Sequence, residues 1–529
     1  MDLYPLNDLS PPATPPSCSS STSSNKSYRH QSSYLDISMG DSPLEVSSML
    51  DKNRLDYIAR VKHTFQQLDT RQKHFFLSEI LACCDNQLLA FLNTLIAPRL
   101  KIDFLKQLPT ELALHVLSFV DDPRTLARAS RVSRYWNNLL KDDSTWKELC
   151  LKQYYRQKHL RIPMTNLSSI ASFREYFRRK YNIDAAWRQG GKVISCHNDI
   201  DSALVTSLQV EDPFIVVGCD NHHIEVFDST TGKHVRTLLG HEGGVWALQF
   251  LKVSDNETIL VSGGCDREAR VWELTTGEQR HVLRGHSSTI RCLKMCDSKI
   301  AVTGSRDTTL RIWDIENGTL RHLCMGHQAS VRCLDIHGKR VASGSYDATA
   351  RLWDIETGQC LHTFVGHHSQ IYAVAFDGER VVTGSLDSHI RVWSPETGQC
   401  LATLLGHTSL VGHLQLLPSD PSILVSGGSD GCLRVWDLDN YECKHRISAH
   451  DNSVTCLQFD DRRIISGGSD GRVKLWDLET GTLVRALTQP ARTVWKVHFN
   501  ATKAVVVMQR QTLSDVQTAI ELHNFDTQD

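Results

Sequence analysis

One phrase returns about every forty residues between His241 and Trp476. It is Gly-His, an apolar strand, Ser/Thr-Gly-x-x-Asp, and a further strand ending in Trp. The best copy reads Gly326-His327, Ser343-Gly344-Ser345-Tyr346-Asp347, Trp353-Asp354. Each unit is too small to bury its own apolar faces, so repeats of this period stack into a β-propeller rather than a string of domains. A propeller is a rigid frame whose function lies in what its loops present. The repeats act as their own control, and a residue that breaks the pattern is a candidate for function.

Innermost strands are expected to begin near Ala203, Val245, Ile290, Val331, Ile371, Val411, Val454 and Val494, and third strands to end at Phe227, Trp272, Trp313, Trp353, Trp393, Trp436, Trp476 and Phe525. That predicts eight blades. Lys192-Val193-Ile194-Ser195 then supplies the outer strand of the last blade, and closure removes the free sheet edges. The terminal repeats have decayed: no Gly-His precedes the first, and Gln489-Pro490 replaces it before the eighth.

His327, Ser343 and Asp347 have the makings of a hydrolase triad. The set recurs as His286/Thr303/Asp307, His367/Thr383/Asp387, His407/Ser426/Asp430 and His450/Ser466/Asp470. A catalytic centre is unique, so five copies point to a structural hydrogen-bond network. No catalytic residue, metal site or cofactor is expected.

The full chain of 529 residues exceeds a single core. Its net charge of −2 gives no global field for nucleic acid or membrane. No run of eighteen apolar residues suggests a membrane span, and no apolar signal segment opens the chain. The sixteen cysteines include no CxxC pair and sit mostly in strand patterns, such as Cys292, Cys333 and Cys456. They read as reduced core residues of an intracellular protein.

Residues 1–50 are rich in Ser and Pro and too poor in aliphatics to offset ordering entropy, which predicts a disordered tail. Residues 51–100 predict three short helices: Leu55, Ile58, Val61, Phe65 and Leu68; Phe75, Phe76, Ile80 and Leu81; then Leu88 to Ile96. Such helices pack on a neighbouring domain or on a second copy. Residues 101–150 form a small all-α module, in which Pro109 and Thr110/Glu111 open a helix carrying Leu112, Val116 and Phe119 on one face. Its apolar surface exceeds what about fifty residues bury. Residues 151–189 predict a basic linker helix with Arg174, Arg178, Arg179 and Lys180, and residues 190–529 the propeller.

Two slots vary around the ring. The first follows the opening Val or Ile of each innermost strand and holds Trp246, Arg291, Arg332, Tyr372, Gly412, Thr455 and Trp495 from the second blade on. The second precedes the turn Asp and holds Cys265, Arg306, Tyr346, Leu386, Ser429 and Ser469. Both lie at strand ends on one face, near the central channel. Three arginines thus converge on two adjacent blades, with Arg267 close by. Crowded guanidinium groups repel unless an anion joins them, and they bind phosphate bidentately. The aromatic and aliphatic neighbours form a shelf suited to Pro or Leu. This describes a phosphopeptide site. The alternative is that each arginine pairs locally, for example with Asp335.

Residues 102–150 resemble an F-box, the helical module that docks on the Skp-type adaptor of cullin ubiquitin ligases. Leu105, Leu108-Pro109, Glu111, Leu112, Val116-Leu117, Phe119, Leu126, Ser133, Trp136 and Trp146 carry the likeness. With eight WD repeats, the chain resembles the cell-division-control-four (archipelago-like) substrate receptors of SCF (Skp–cullin–F-box) E3 ligases, over roughly residues 55–526. The resemblance places phosphate-binding arginines at Arg291, Arg306 and Arg332, and further pocket positions at Trp246, Arg267, Ser288, Thr289, Tyr346, Tyr372 and Trp495; Leu386 joins them from the second slot. Arg510 matches another pocket arginine, through a loose alignment. Adaptor contacts fall on Leu105, Leu108, Pro109, Leu112, Val116, Leu117, Phe119 and Trp136. The resemblance implies a non-catalytic receptor of nucleus and cytoplasm that binds Leu-x-Thr(P)-Pro-Pro segments of phosphorylated proteins. Its partners would be the adaptor and, through it, a cullin/RING ligase, with residues 55–100 forming a homodimer. Ala13-Thr14-Pro15-Pro16-Ser17 is itself close to that motif, with Cys18 where a second acidic or phosphorylatable residue is usual.

Two rivals stand beside this reading. One is a non-degradative scaffold, against which the intact apolar face of the helical module speaks. The other is a receptor for a doubly phosphorylated Asp-Ser-Gly motif, whose seven blades disagree with the count of eight.

Overall fold

The computed structural model of the chain describes residues 52–100, 103–156, 172–196, 203–254, 257–511 and 516–526. The Thr14 motif and the Ser/Pro-rich tail lie outside them. The chain divides into two compact units, 1–104 and 105–529.

In the first unit, helices Lys52–Gln67, Thr70–Ala82 and Asn86–Leu100 follow the apolar periodicity. Asp69 starts the second through a reciprocal cap with Gln72, and Phe65 and Phe76 lie 5.5 Å apart. No residue of the first two helices is buried. Phe75 is 68% exposed and Phe91 52%, so these apolar faces lack cover within the described chain.

The second unit opens with the short helices Phe104–Gln107 (from Leu105 on), Thr110–Ser118, Pro123–Ala129, Arg134–Leu139 and Asp143–Arg156. Asp122 and Ser133 cap two of them through their side chains. Leu105, Ala113, Leu117, Leu126, Leu140 and Trp146 make the core, which the helix Phe173–Gln189 completes with Phe177. Asp143 accepts the N–H groups of Phe173 and Arg174 and so fixes the start of that helix. Its far end belongs to the propeller. Trp187 stacks on Phe525 at 3.6 Å between ring centroids, and its Nε1–H donates to Ala501. Asp184 bridges Arg462 and Arg463, and Arg179 pairs with Asp526. One helix of 17 residues, about 25 Å long, therefore packs into both cores.

The strands form eight antiparallel sheets of four. Blades 1 to 8 open at the channel with Val205–Glu211, Val245–Ser254, Ile290–Met295, Val331–His337, Ile371–Phe376, Val411–Leu417, Val454–Phe459 and Thr493–Phe499. Lys192–Cys196 pairs with Val516–Asn524 and closes blade 8, so the earliest strand locks the latest. Gln209, Gln249, Gln415 and Gln458 each bond the main chain of the following blade, at Phe250, Met295, Phe459 and Phe499. These bonds knit the channel wall.

Six blades repeat one buried relay. In blade 4, the Trp353 Nε1–H donates to Ser343 Oγ at 2.9 Å, Ser343 donates to His327 Nε2 at 2.8 Å, and His327 Nδ1–H donates to Asp347 at 2.8 Å. The five sets read from the sequence all form it, and His241, Ser262, Asp266 and Trp272 add a sixth. The cysteines depart from expectation. The fifteen described are all free, but Cys83, Cys265, Cys360, Cys400 and Cys443 are exposed rather than core residues. Cys360 and Cys400 open outer strands and Cys443 stands second in another, where a blade has solvent on its rim.

Burial holds the imidazoles of His286, His367, His407 and His450 below their ordinary pKa, against the pull of their aspartates. Burial raises that of Asp387, but the N–H groups of His368 and His389 and the His367 ring outweigh it and leave it at about 2. Both effects act in one direction: as acid is added the unfolded chain takes up protons that the folded one refuses. The histidine contribution is intact above about pH 6.5 and is lost below it; that of Asp387 goes between about pH 4 and 2. The thermal midpoint of the propeller should be level from pH 8 to 7 and fall continuously below 6.5. A midpoint that holds steady down to pH 4.5 in calorimetry contradicts this assignment.

Candidate functional site: the arginine-lined channel mouth

The first variable slot has a structural cause. In blades 1 to 7 the innermost strand slips register immediately after its opening residue, as between Ile290 and Cys292 or Val331 and Cys333, and in blade 8 it slips after its second residue, Val494. Arg291, Arg332, Trp246, Tyr372 and Trp495 are the extra residues of these bulges. A bulged residue leaves the pairing ladder and its side chain is re-aimed. The second slot is tied beside the first by a main-chain bond. The Arg306 N–H donates to Thr289 O at 2.9 Å, Tyr346 to Ser330 at 3.0 Å, and Leu386 to Gln370 at 2.9 Å. Ser305 likewise donates to Ser288 O. Both slots therefore meet at one rim of the channel.

Arg291 and Arg332 are half-buried, whereas Arg306 and Arg267 are exposed. The Arg291 guanidinium lies 4.3 Å from the Trp246 ring, and the indole Nε1–H is anchored on Cys265 at 2.9 Å. Arg332 lies 5.9 Å from the Tyr372 ring, which sits 5.1 Å from that of Tyr346. Leu386, 43% exposed, extends this side. The site thus has two apolar lobes, Trp246 on one flank and Tyr346, Tyr372 and Leu386 on the other. Arg267 occupies the turn with a φ of 67°, a left-handed conformation costing about 1–2 kcal/mol for a side chain of this kind.

Local pairing does not neutralise the cluster. Asp335 is engaged by Lys294 at 3.4 Å and by the Phe376 N–H at 2.9 Å. Among the described residues no carboxylate pairs with Arg291, Arg306 or Arg332, and Arg332 Nε is buried without a hydrogen-bond partner. Burial, then Arg332 and Arg306, lowers the pKa of Arg291, the signature of like charges held together. Burial and a hydrogen bond to Tyr346 raise that of Tyr372.

Three residues alter the sequence-based list. Arg510 is not poised like the other arginines, since it pairs with Glu521 at 2.5 Å. Val494 faces Met508, so Gln509 holds the second slot of blade 8 and Arg510 stands one place beyond. Lys496 and His413 each stand one residue past a bulge, where slot comparison passed them over; Lys496 adds an amine beside the arginines, and the His413 ring is held neutral. Burial and the nearby Arg332 and Arg291 lower the pKa of Lys496, and burial, Lys496 and Arg332 bring His413 down to about 3. Trp495 stays in the wall, and its Nε1–H is buried without a partner.

The helical module offers a second face. Leu112, Val116 and Phe119 are 51%, 40% and 69% exposed, Pro109 is exposed and Leu108 is half-buried. Phe119 is held 5.0 Å from the His115 ring and 5.7 Å from Lys152 Nζ. Leu105 and Leu117 are instead fully within the module's core, at 0% and 3% exposure, and Trp136 packs against it. A helix of this length buries the residues on one side to fold, which removes them from docking.

Comparison with known proteins agrees with both parts. A model of F-box-like modules matches residues 105–152, and one of the WD domain, G-beta repeat, matches 232–273, 277–314, 318–354 and 441–477. A model of the tRNA methyltransferase TRM82 WD40 domain matches 365–458, another stretch of WD repeats. F-box/WD repeat-containing protein 7 of Drosophila melanogaster is 38% identical over 195 residues, 35% of this chain and 14% of that one. Cell division control protein 4 of Saccharomyces cerevisiae is 29% identical over 259 residues, 44% and 32% of the two chains. The probable E3 ubiquitin ligase complex SCF subunit sconB of Arthroderma otae is 26% identical over 243 residues, 45% and 32%. The chain thus spans about a third or less of these relatives' own lengths. A solved structure, the computationally designed Ika8 protein, is 34% identical with a TM-score of 0.56, over 63% of this chain and 99% of that one. An F-box-like module followed by an eight-bladed ring of such repeats places this chain among the F-box and WD-repeat proteins.

Proposed function

We propose that this chain is the substrate-recognition subunit of an SCF-type E3 ubiquitin ligase, and that its channel mouth binds phosphorylated Ser/Thr-Pro segments. The observation that carries the reading is the cluster of Arg291, Arg306 and Arg332 without counter-charge, set between two apolar lobes. A phosphate supplies nearly two negative charges and three acceptor oxygens to that cluster, while Pro or Leu covers the lobes. An unphosphorylated peptide leaves the arginines crowded, so phosphorylation acts as the switch. The exposed face of Leu112, Val116 and Phe119 would receive the Skp-type adaptor and, through it, the cullin/RING ligase. The chain supplies no chemistry. It raises the effective concentration of substrate lysines at a ubiquitin-charged enzyme. The helix Phe173–Gln189, packed into both cores, would keep that distance constant.

A fluorescent Leu-Pro-Thr-Pro-Pro peptide should bind the full chain only when its Thr is phosphorylated. Arg291→Ala, Arg306→Ala or Arg332→Ala should each cost about 2–5 kcal/mol, roughly thirty-fold to several-thousand-fold in affinity. Equal weak binding of every combination, read by polarisation, would transfer the lead to a non-degradative scaffold. Leu112→Asp with Phe119→Asp should abolish copurification with adaptor and cullin and leave peptide affinity within twofold. Retained copurification would remove the F-box assignment from that face.

The uncovered helices 52–100 would join two copies of the chain. Phe75→Asp with Ile80→Asp should halve the mass measured by sedimentation; a monomeric wild-type chain rejects dimerisation.

A further inference from the structure

The tail holds two phosphoacceptors in one proline frame. Ser10-Pro11-Pro12 and Thr14-Pro15-Pro16 stand four residues apart. From Met1 to Asn25 the only charged side chains are Asp2 and Asp8, and the first lysine is Lys26. Phosphorylation at both positions would add close to four negative charges near neutral pH, to a segment with no basic side chain to answer them. The channel mouth is the opposite case: arginines without a carboxylate, with Lys496 near Arg332 and Arg291.

Register favours Ser10 at the arginines. Leu9 precedes it and two prolines follow, so each apolar lobe receives an apolar residue. Thr14 has only the methyl of Ala13 on its N-terminal side. Proline pairs favour an extended polyproline conformation, for which aromatic surfaces are a common docking site. At about 3.1 Å per residue, Thr14 would lie about 12 Å beyond Ser10.

We infer that segment 9–16 of this chain, phosphorylated on Ser10 and Thr14, occupies the arginine-lined mouth and competes there with substrate. The inference rests on the phosphopeptide reading of the same site. Pro16 is 36 residues before Lys52, where the first described helix begins. Extended, that stretch can span roughly 120 Å. Tethering favours the contact without adding a bond. Proline-directed phosphorylation would then act on both sides of recognition, creating the substrate motif and closing the receptor until the tail is dephosphorylated.

The test is competition on the full chain. The reference probe is the labelled Leu-Pro-Thr(P)-Pro-Pro peptide. Competitors are peptides of residues 6–18, bare, phosphorylated on Ser10, on Thr14, or on both. The Ser10 and doubly phosphorylated forms should displace the probe, and the bare and Thr14-only forms should do so at least tenfold less well. Direct binding of the doubly phosphorylated peptide should weaken at least thirty-fold with Arg306→Ala. The full chain treated with a proline-directed kinase should bind the probe at least fivefold less tightly, and Ser10→Ala with Thr14→Ala should cancel that loss. If the probe binds but no tail peptide displaces it, or Arg306→Ala has no effect on the tail peptide, the inference falls and the phosphopeptide site stands. Unchanged probe affinity of the treated chain, with both residues shown phosphorylated by mass spectrometry, overturns self-occupancy. If the probe itself fails to bind, the site reading falls and takes this inference with it.

Discussion

Everything displayed at the channel mouth depends on a hydroxyl buried in the middle of each good blade. Ser343 and its counterparts receive a Trp Nε1–H and pass their own proton to a histidine, which donates to the turn aspartate. Removing any partner would strand polar groups in a dry core, so the set persists as a whole. The aspartate in turn fixes the tight turn, and the residue just before it becomes the second variable slot. The bulge on the facing strand frees the residue of the first slot. A constant internal network thus holds two positions per blade at one rim, where side chains vary without cost to the fold.

Blades 2 to 5 use that freedom to gather arginines and aromatic rings. Holding Arg291, Arg306 and Arg332 together without a carboxylate costs stability, a cost that a bound dianion reverses. The geometry is prepared beforehand. Trp246 is anchored on Cys265, and Tyr346 and Tyr372 support one another, so little ordering remains for binding. The helix Phe173–Gln189 joins the propeller to the helical module through packing on both sides, where a flexible tether would leave their distance open.

Much of this was legible because repeats make their own alignment. The period set the blade count, the decayed ends located the closing strand, and comparison of equivalent positions isolated the arginines. The misreadings share a cause, since each needed three-dimensional neighbours. Arg510 looked like a pocket residue until the strand register gave its slot to Gln509 and its charge to Glu521. Leu105 and Leu117 were placed among the adaptor contacts by the F-box resemblance, which does not say which part of the apolar stripe the module buries. Outer-strand cysteines looked like core residues because strand alternation does not say which side faces solvent. Lys496 and His413 were passed over because their proximity to the arginines arises across the channel, between blades far apart in sequence.

The sequence by itself determined the architecture and the residues that vary on it, because a forty-residue period with a fixed hydrogen-bonding set admits one way to bury its strands. Only the tertiary structure decided that the arginines stay without counter-charge. A guanidinium's partner is set by which carboxylates ring closure brings near, and here Lys294 and a main-chain N–H engage Asp335 first.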